Sequence, residues 1–148
     1  VPSTYLSLNA HVIFATRKRT PFFDAEIIGR VHQYLGGSIR GLGAAPLAVG
    51  GIEDHVHLLI GFPSTMAIAD FVRETKKAST KWMREDMSVK DFRWQEGYAG
   101  FTVSQERVGN VKRYIEKQAE HHRNKPFLEE IEELLRFNNL EFRSQDWE

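Results

Sequence analysis

The chain contains no cysteine, which removes disulfides, zinc–thiolate centres and thiol nucleophiles from consideration. Any metal must be held by nitrogen and oxygen donors, drawn from six histidines and the carboxylates and amides. No apolar run approaches the roughly 18 residues of a membrane span, and the first residues lack a secretory pattern. A cytoplasmic protein with no membrane partner is the expected setting. Internal repeats, low-complexity segments and dividing linkers are also missing. The 148 residues therefore read as one domain, 1–148, long enough to bury a core without staples. Net charge is absent only in the total. Residues 1–125 carry 18 Lys and Arg against 13 Asp and Glu, whereas residues 126–148 carry 2 against 7. The body is basic and the tail acidic, a balance that permits nucleic-acid binding without demonstrating it.

Hydrophobic periodicity gives the element order. Residues 4–16 alternate as a first strand, and a basic loop, 17–21, ends it. Asp24 can cap a helix running to about Gly41. Residues 46–52 and 55–62 read as strands joined by a short turn at Glu53-Asp54. A second helix fits 66–85, burying Ile68, Phe71, Val72, Thr75, Ala78 and Trp82. Residues 94–103 read as a fourth strand, and a third helix runs from Ser104 or Gln105 to about Arg123. The core then spans 4–123, followed by an acidic helical tail, 126–148, with a helix over 127–137. The β-α-β-β-α-β order predicts an α+β fold, ferredoxin-like (RRM-like): an antiparallel sheet with two helices on one face, plus the later helix and tail.

The chemistry-bearing residues fall in two short stretches. In Asp54-His55-Val56-His57-Leu58-Leu59, strand alternation turns Val56, Leu58 and Ile60 to the core and both imidazoles to the other side. Residues i and i+2 on one face can bind a single ion. Tyr114 and Gln118 stand one helical turn apart. Gln118 would supply a hard oxygen ligand, and such mixed N/O sites suit Mn²⁺ or Mg²⁺. A free phenol is a weak nucleophile near neutral pH, and a nearby cation would assist it. His121 is a possible relay or extra ligand, and His11 a possible outer partner of the histidine pair. Arg73, Lys76, Lys77, Lys81 and Arg84 share the outer face of the second helix. They lack acidic partners four residues earlier in the chain, which suggests contact with phosphates. Arg17 and Lys18, together with Lys112 and Arg113, extend the basic set. Trp94, Tyr98 and Phe101 are candidates for base stacking or for the core.

These motifs resemble the single-tyrosine HUH (His-hydrophobe-His) transposases of small bacterial and archaeal insertion sequences, together with the related REP-associated tyrosine transposases. The most specific pieces are Asp54-His55-Val56-His57-Leu58-Leu59 and Arg113-Tyr114-Ile115-Glu116-Lys117-Gln118. Supporting ones are His11-Val12-Ile13-Phe14, Lys76-Lys77-Ala78-Ser79-Thr80 and Trp94-Gln95-Glu96-Gly97-Tyr98. Lys77 stands where many relatives carry Gly, and Glu53 where Pro often precedes the first histidine. The resemblance implies a metal site of His55, His57 and Gln118, with Tyr114 as the nucleophile. It further implies cleavage of single-stranded DNA through a 5′-phosphotyrosine, recognition of DNA hairpins at element ends, and a homodimer. Rival readings are a noncatalytic single-strand-binding module, a host-adapted REP-associated enzyme and a two-histidine phosphoesterase. The last usually carries two His-x-Ser/Thr motifs, and here His-Val-His occurs once.

Overall fold

Among the described residues, alternating apolar residues form four strands: β1 (Asn9–Ala15), β2 (Ala45–Ile52), β3 (His55–Gly61) and β4 (Ala99–Thr102). The computed structural model describes residues 3–121 and 125–147, with the side chain of His121 outside the described residues. Neighbouring strands are all antiparallel, in the order β2-β3-β1-β4. Helix α1 (Ile28–Gly41) joins β1 to β2, and α2 (Ile68–Glu85) joins β3 to β4. This is the ferredoxin-like arrangement that the element order predicts.

Strand alternation sorts the apolar side chains into two layers. Val12, Phe14, Val56, Leu58 and Ile60 pack with Val31, Leu35 and Ile39 of α1 and Phe71, Val72 and Met83 of α2. The buried stripe of α2 thus runs through Thr75, Ser79 and Met83, not through Ala78 and Trp82. Ile68 is exposed, and Trp82 stacks on Tyr34 at a ring separation of 4.5 Å.

The other sheet face is covered by α3 (Val108–Glu116), the short α4 (Gln118–His121) and α5 (Phe127–Phe137). Ile115 of α3 is buried on Ala48 and Leu59. Phe127, Ile131 and Leu135 of α5 join Trp147 against Ile13, Ala15, Ala99 and Phe101. The acidic tail is therefore the cover of a second core, with its apolar stripe inward and most of its carboxylates outward.

Several boundaries differ from the periodicity. Tyr5, Leu6 and Leu8 precede β1 as exposed extended chain. Trp94 makes only an isolated bridge with Thr16, and Gly97, at φ +88°, interrupts the strand before β4. The third helix does not run unbroken to Arg123, a residue outside those described. It stops at Glu116, because Lys117 leaves helical geometry at φ −103° and ψ 22°. That break shifts the helical phase, burying Gln118 and exposing Ala119.

Two glycines allow the close approaches behind this arrangement. A Cβ on Gly50 would strike the Ile115 carbonyl, so α3 sits directly on bare backbone. Gly51, at φ +135°, turns the β2–β3 hairpin against the His55 carbonyl. Gly50→Ala is expected to lift α3 from β2 and cost about 1–3 kcal/mol, read as a lowered urea midpoint. An unchanged midpoint would show that this seat contributes nothing to stability.

Candidate metal centre and nucleophile

Strand β3 lies inside the sheet, and its alternation places His55 and His57 on the side facing α3 and α5. Both are fully buried. They face away from the first core, as the spacing predicts, but under a second layer rather than open solvent. Each ring has its own outer partner. His55 Nδ1 lies 2.8 Å from Asp54 Oδ1, and His57 Nδ1 lies 2.8 Å from Nε2 of His11 on neighbouring β1. With the Nδ1 atoms so occupied, both Nε2 atoms are directed at one location.

Two further side chains converge there. Gln118 Oε1 is 3.1 Å from His55 Nε2. Glu130 Oε1 is 3.5 Å from His55 Nε2 and 3.3 Å from His57 Nε2. The second Glu130 oxygen accepts hydrogen bonds from Gln118 Nε2, at 3.0 Å, and from the Tyr114 hydroxyl. The structure thus brings together Tyr114, His55, His57, Gln118 and His11, all from a single chain.

Glu130 is the member that sequence reasoning missed. The signal was present: it falls in the inward stripe of α5 with Phe127, Ile131 and Leu135, where a carboxylate is out of place. It carries 3% of its full exposure, so its charge requires compensation. His55 supplies it. Burial opposes protonation of His55, but the Asp54 and Glu130 carboxylates outweigh it and raise its pKa to about 9. Burial and the neighbouring His57 instead lower His11 to about 3, keeping it neutral. Tyr114 is pushed up by burial and by the Glu130 charge, so its hydroxyl stays protonated and donates.

The donor set fits a divalent cation. Donor atoms of His55, His57 and Glu130 all lie within 4.8 Å of one another, and Gln118 adds a neutral oxygen. Adjacent ligands on an ion bound at about 2.1 Å are separated by roughly 3 Å, close to the 3.1–3.5 Å between the imidazole Nε2 atoms and the Gln118 and Glu130 oxygens. The His55 proton answers the same carboxylate charge that a cation would answer.

Comparison with known proteins decides the family. Residues 4–118 match the family described as "Transposase IS200 like". The chain belongs to this family of transposases. It is 27% identical over 118 residues to the ISDra2 transposase TnpA of Deinococcus radiodurans, covering 75% of this chain and 84% of that one. A provisionally described transposase of Deinococcus radiodurans R1 has a similar crystal structure, with a TM-score of 0.65 and 27% identity, covering 80% of this chain and 95% of that one. A REP-associated tyrosine transposase, solved bound to a REP hairpin, matches with a TM-score of 0.61 over 82% of this chain and 73% of its own. At 15% identity, that likeness shows the fold alone. Transposase membership makes this a DNA-acting protein of recombination. Among the described residues, no helix is long and apolar enough to cross a membrane.

In this transposase the basic residues divide into two sets. A groove beside α2 is lined by seven cationic side chains, among them Arg17, Arg73, Lys76, Lys77, Lys81 and Arg84, and by four acidic ones. Several of the cations have partners, acidic neighbours on α2 itself for Arg73 and loop carbonyls for the others. Arg73 pairs with Asp70 at 2.8 Å and approaches Glu74. Lys76 donates to the carbonyls of Gln95 and Gly97, and Arg84 to that of Phe92. Lys77, Lys81 and Arg17 form no ion pair among the described residues. Lys18 is exposed at the left-handed turn after β1 but does not line the groove. Lys112 and Arg113 do not extend this surface, because α3 lies on the opposite sheet face; they contact Glu116 and Asn110. Phe101 is a core residue, Trp94 packs against the core and also lines the groove, and Tyr98 lines the groove.

The His55 shift carries a pH signature. In the metal-free transposase the folded state holds the His55 proton to about pH 9, whereas an unfolded chain releases it near pH 6.5. That stabilisation is complete below pH 6.5 and lost above 9. The melting temperature is expected to fall across this window, with His55→Gln flattening the fall. A flat wild-type profile would show that no His55 proton counters Glu130.

Proposed function

We propose that this transposase cuts and rejoins single-stranded DNA through a covalent 5′-phosphotyrosine on Tyr114, with a divalent cation, Mn²⁺ or Mg²⁺, held by His55, His57 and Gln118. The observation carrying this reading is the convergence of the Tyr114 hydroxyl and both imidazole Nε2 atoms on one carboxylate, within one chain. A nucleophile and a ligand cluster fixed in this way hold the reacting groups together before substrate arrives.

The step is a phosphoryl exchange. The Tyr114 oxygen bonds to phosphorus, the bond from phosphorus to the 3′ oxygen breaks, and that oxygen leaves as a hydroxyl. One proton leaves the phenol and one is gained by the leaving group, so none is consumed. A bound divalent cation polarises the phosphate oxygens and screens their charge from the attacking phenol oxygen. Asp54 and His11 orient the two imidazoles from outside. Because the phosphotyrosine preserves the phosphodiester's energy, a second strand's 3′ hydroxyl can reverse the step without an external energy source.

The REP-associated neighbour of similar fold was solved with a REP hairpin, which supports a hairpin at element ends as the DNA partner here. The groove beside α2, with Lys77, Lys81, Arg17 and Tyr98, offers cations for phosphates and a ring for a base. A homodimer would bring together two such sites for exchange between two strands.

The test uses labelled single strands from the flanks of the native gene, with Mn²⁺ or Mg²⁺, resolved on a denaturing gel. A metal-dependent covalent adduct is expected on single strands, and none with duplex DNA or with Tyr114→Phe. DNA binding without an adduct, across several flanking hairpins and both ions, would point to a noncatalytic binding module. Because His57 is fully buried, His57→Gln is a cleaner probe than truncation to Ala. It should reduce adduct formation by more than roughly a hundredfold, beyond the loss of an outer-shell partner, while the far-UV circular dichroism stays that of wild type.

A further inference from the structure

We infer that Glu130 is a working member of the centre: its Oε1 is a further ligand for the divalent cation beside His55 and His57, and its Oε2 holds the Tyr114 hydroxyl in position. This inference rests on the metal-dependent reading above and extends it to the tail helix. The family match ends at residue 118, so Glu130 lies outside the matched segment.

An anchoring role does not account for this residue. Helix α5 is already seated by Phe127, Ile131 and Leu135, with Trp147 beside them. An apolar side chain at position 130 would continue that stripe without the cost of burying a charge. The partners described for Glu130 are instead His55, His57, Gln118 and Tyr114, all members of the proposed centre.

Its two oxygens face different parts of the chemistry. Oε1 lies 3.3–3.5 Å from the two imidazole Nε2 atoms, where a shared ion would complete the group. Oε2 takes the Tyr114 hydroxyl, so one rigid carboxylate sets the separation between nucleophile and cation. The same oxygen accepts from Gln118 Nε2, which leaves Gln118 Oε1 directed at His55 Nε2. Glu130 thereby also fixes which end of the amide faces the cation.

The test is Mn²⁺ titration of the metal-stripped full chain, followed by the loss of the free-ion electron paramagnetic resonance signal. Wild type, Glu130→Gln and Glu129→Gln are compared, since Glu129 is exposed on the same helix and its replacement removes the same charge. Glu130→Gln should bind Mn²⁺ at least tenfold more weakly, and Glu129→Gln within twofold of wild type. Adduct formation should fall with Glu130→Gln alone. If circular dichroism shows that Glu130→Gln is unfolded, Glu130→Ala takes its place. Wild-type Mn²⁺ affinity in the folded variant would overturn the inference and leave the metal-dependent reading standing. Increased adduct yield would overturn it too, identifying Glu130 as a plug in the phosphate seat. A wild type that binds no Mn²⁺ would overturn both.

Discussion

A carboxylate shut away from water must be matched by hydrogen-bond donors and positive charge, and the centre of this transposase is arranged around that requirement. Glu130 sits beneath the tail helix with 3% of its surface exposed. Around it His55 retains a proton, Gln118 presents its amide hydrogens and Tyr114 its hydroxyl. Remove the carboxylate and the His55 charge loses one partner, the amide its orientation and the phenol its acceptor. A divalent ion at this centre would answer the same carboxylate charge.

The fold makes this convergence possible by using both sides of one sheet. Helices α1 and α2 build the main core on one side, which frees the other for β3's imidazoles. The polar cluster there is bordered by two apolar patches, one under α3 and one under α5. Those patches exclude water and fix the helices from which Tyr114 and Glu130 project. Backbone detail matters as much as packing. Gly50 lets α3 approach, and the break at Lys117 turns Gln118 inward.

Much of this was legible in the residues. The order of strands and helices, the histidine pair's orientation away from the first core, and the proximity of His11 all follow from alternation and pairing. Helix α5 spans the expected 127–137. The family follows from the His-Val-His and Tyr-Ile-Glu-Lys-Gln motifs taken together. Less legible were features decided by distant parts of the chain. Helical spacing cannot show that Lys76 and Arg84 spend their hydrogen bonds on loop carbonyls. Nor can it show that the helix carrying Tyr114 breaks before Gln118. Glu130 was readable only as an oddity, a charge in an apolar stripe, and its partner His57 is 73 residues away.

That separation has a consequence for the order in which the protein comes into being. A chain emerges and folds from its N-terminal side, so the strand bearing the histidines is made long before the helix that covers them. Docking of the tail draws on contacts still farther apart, such as Arg19 with the Trp147 carbonyl. A molecule synthesised only through β4 can therefore possess the sheet and its imidazoles while lacking the lid of the second core. Chemical competence on DNA, as proposed for this centre, would then wait for the tail helix rather than arrive with the sheet. An enzyme able to sever strands gains from that timing, because unfinished copies would lack a complete centre.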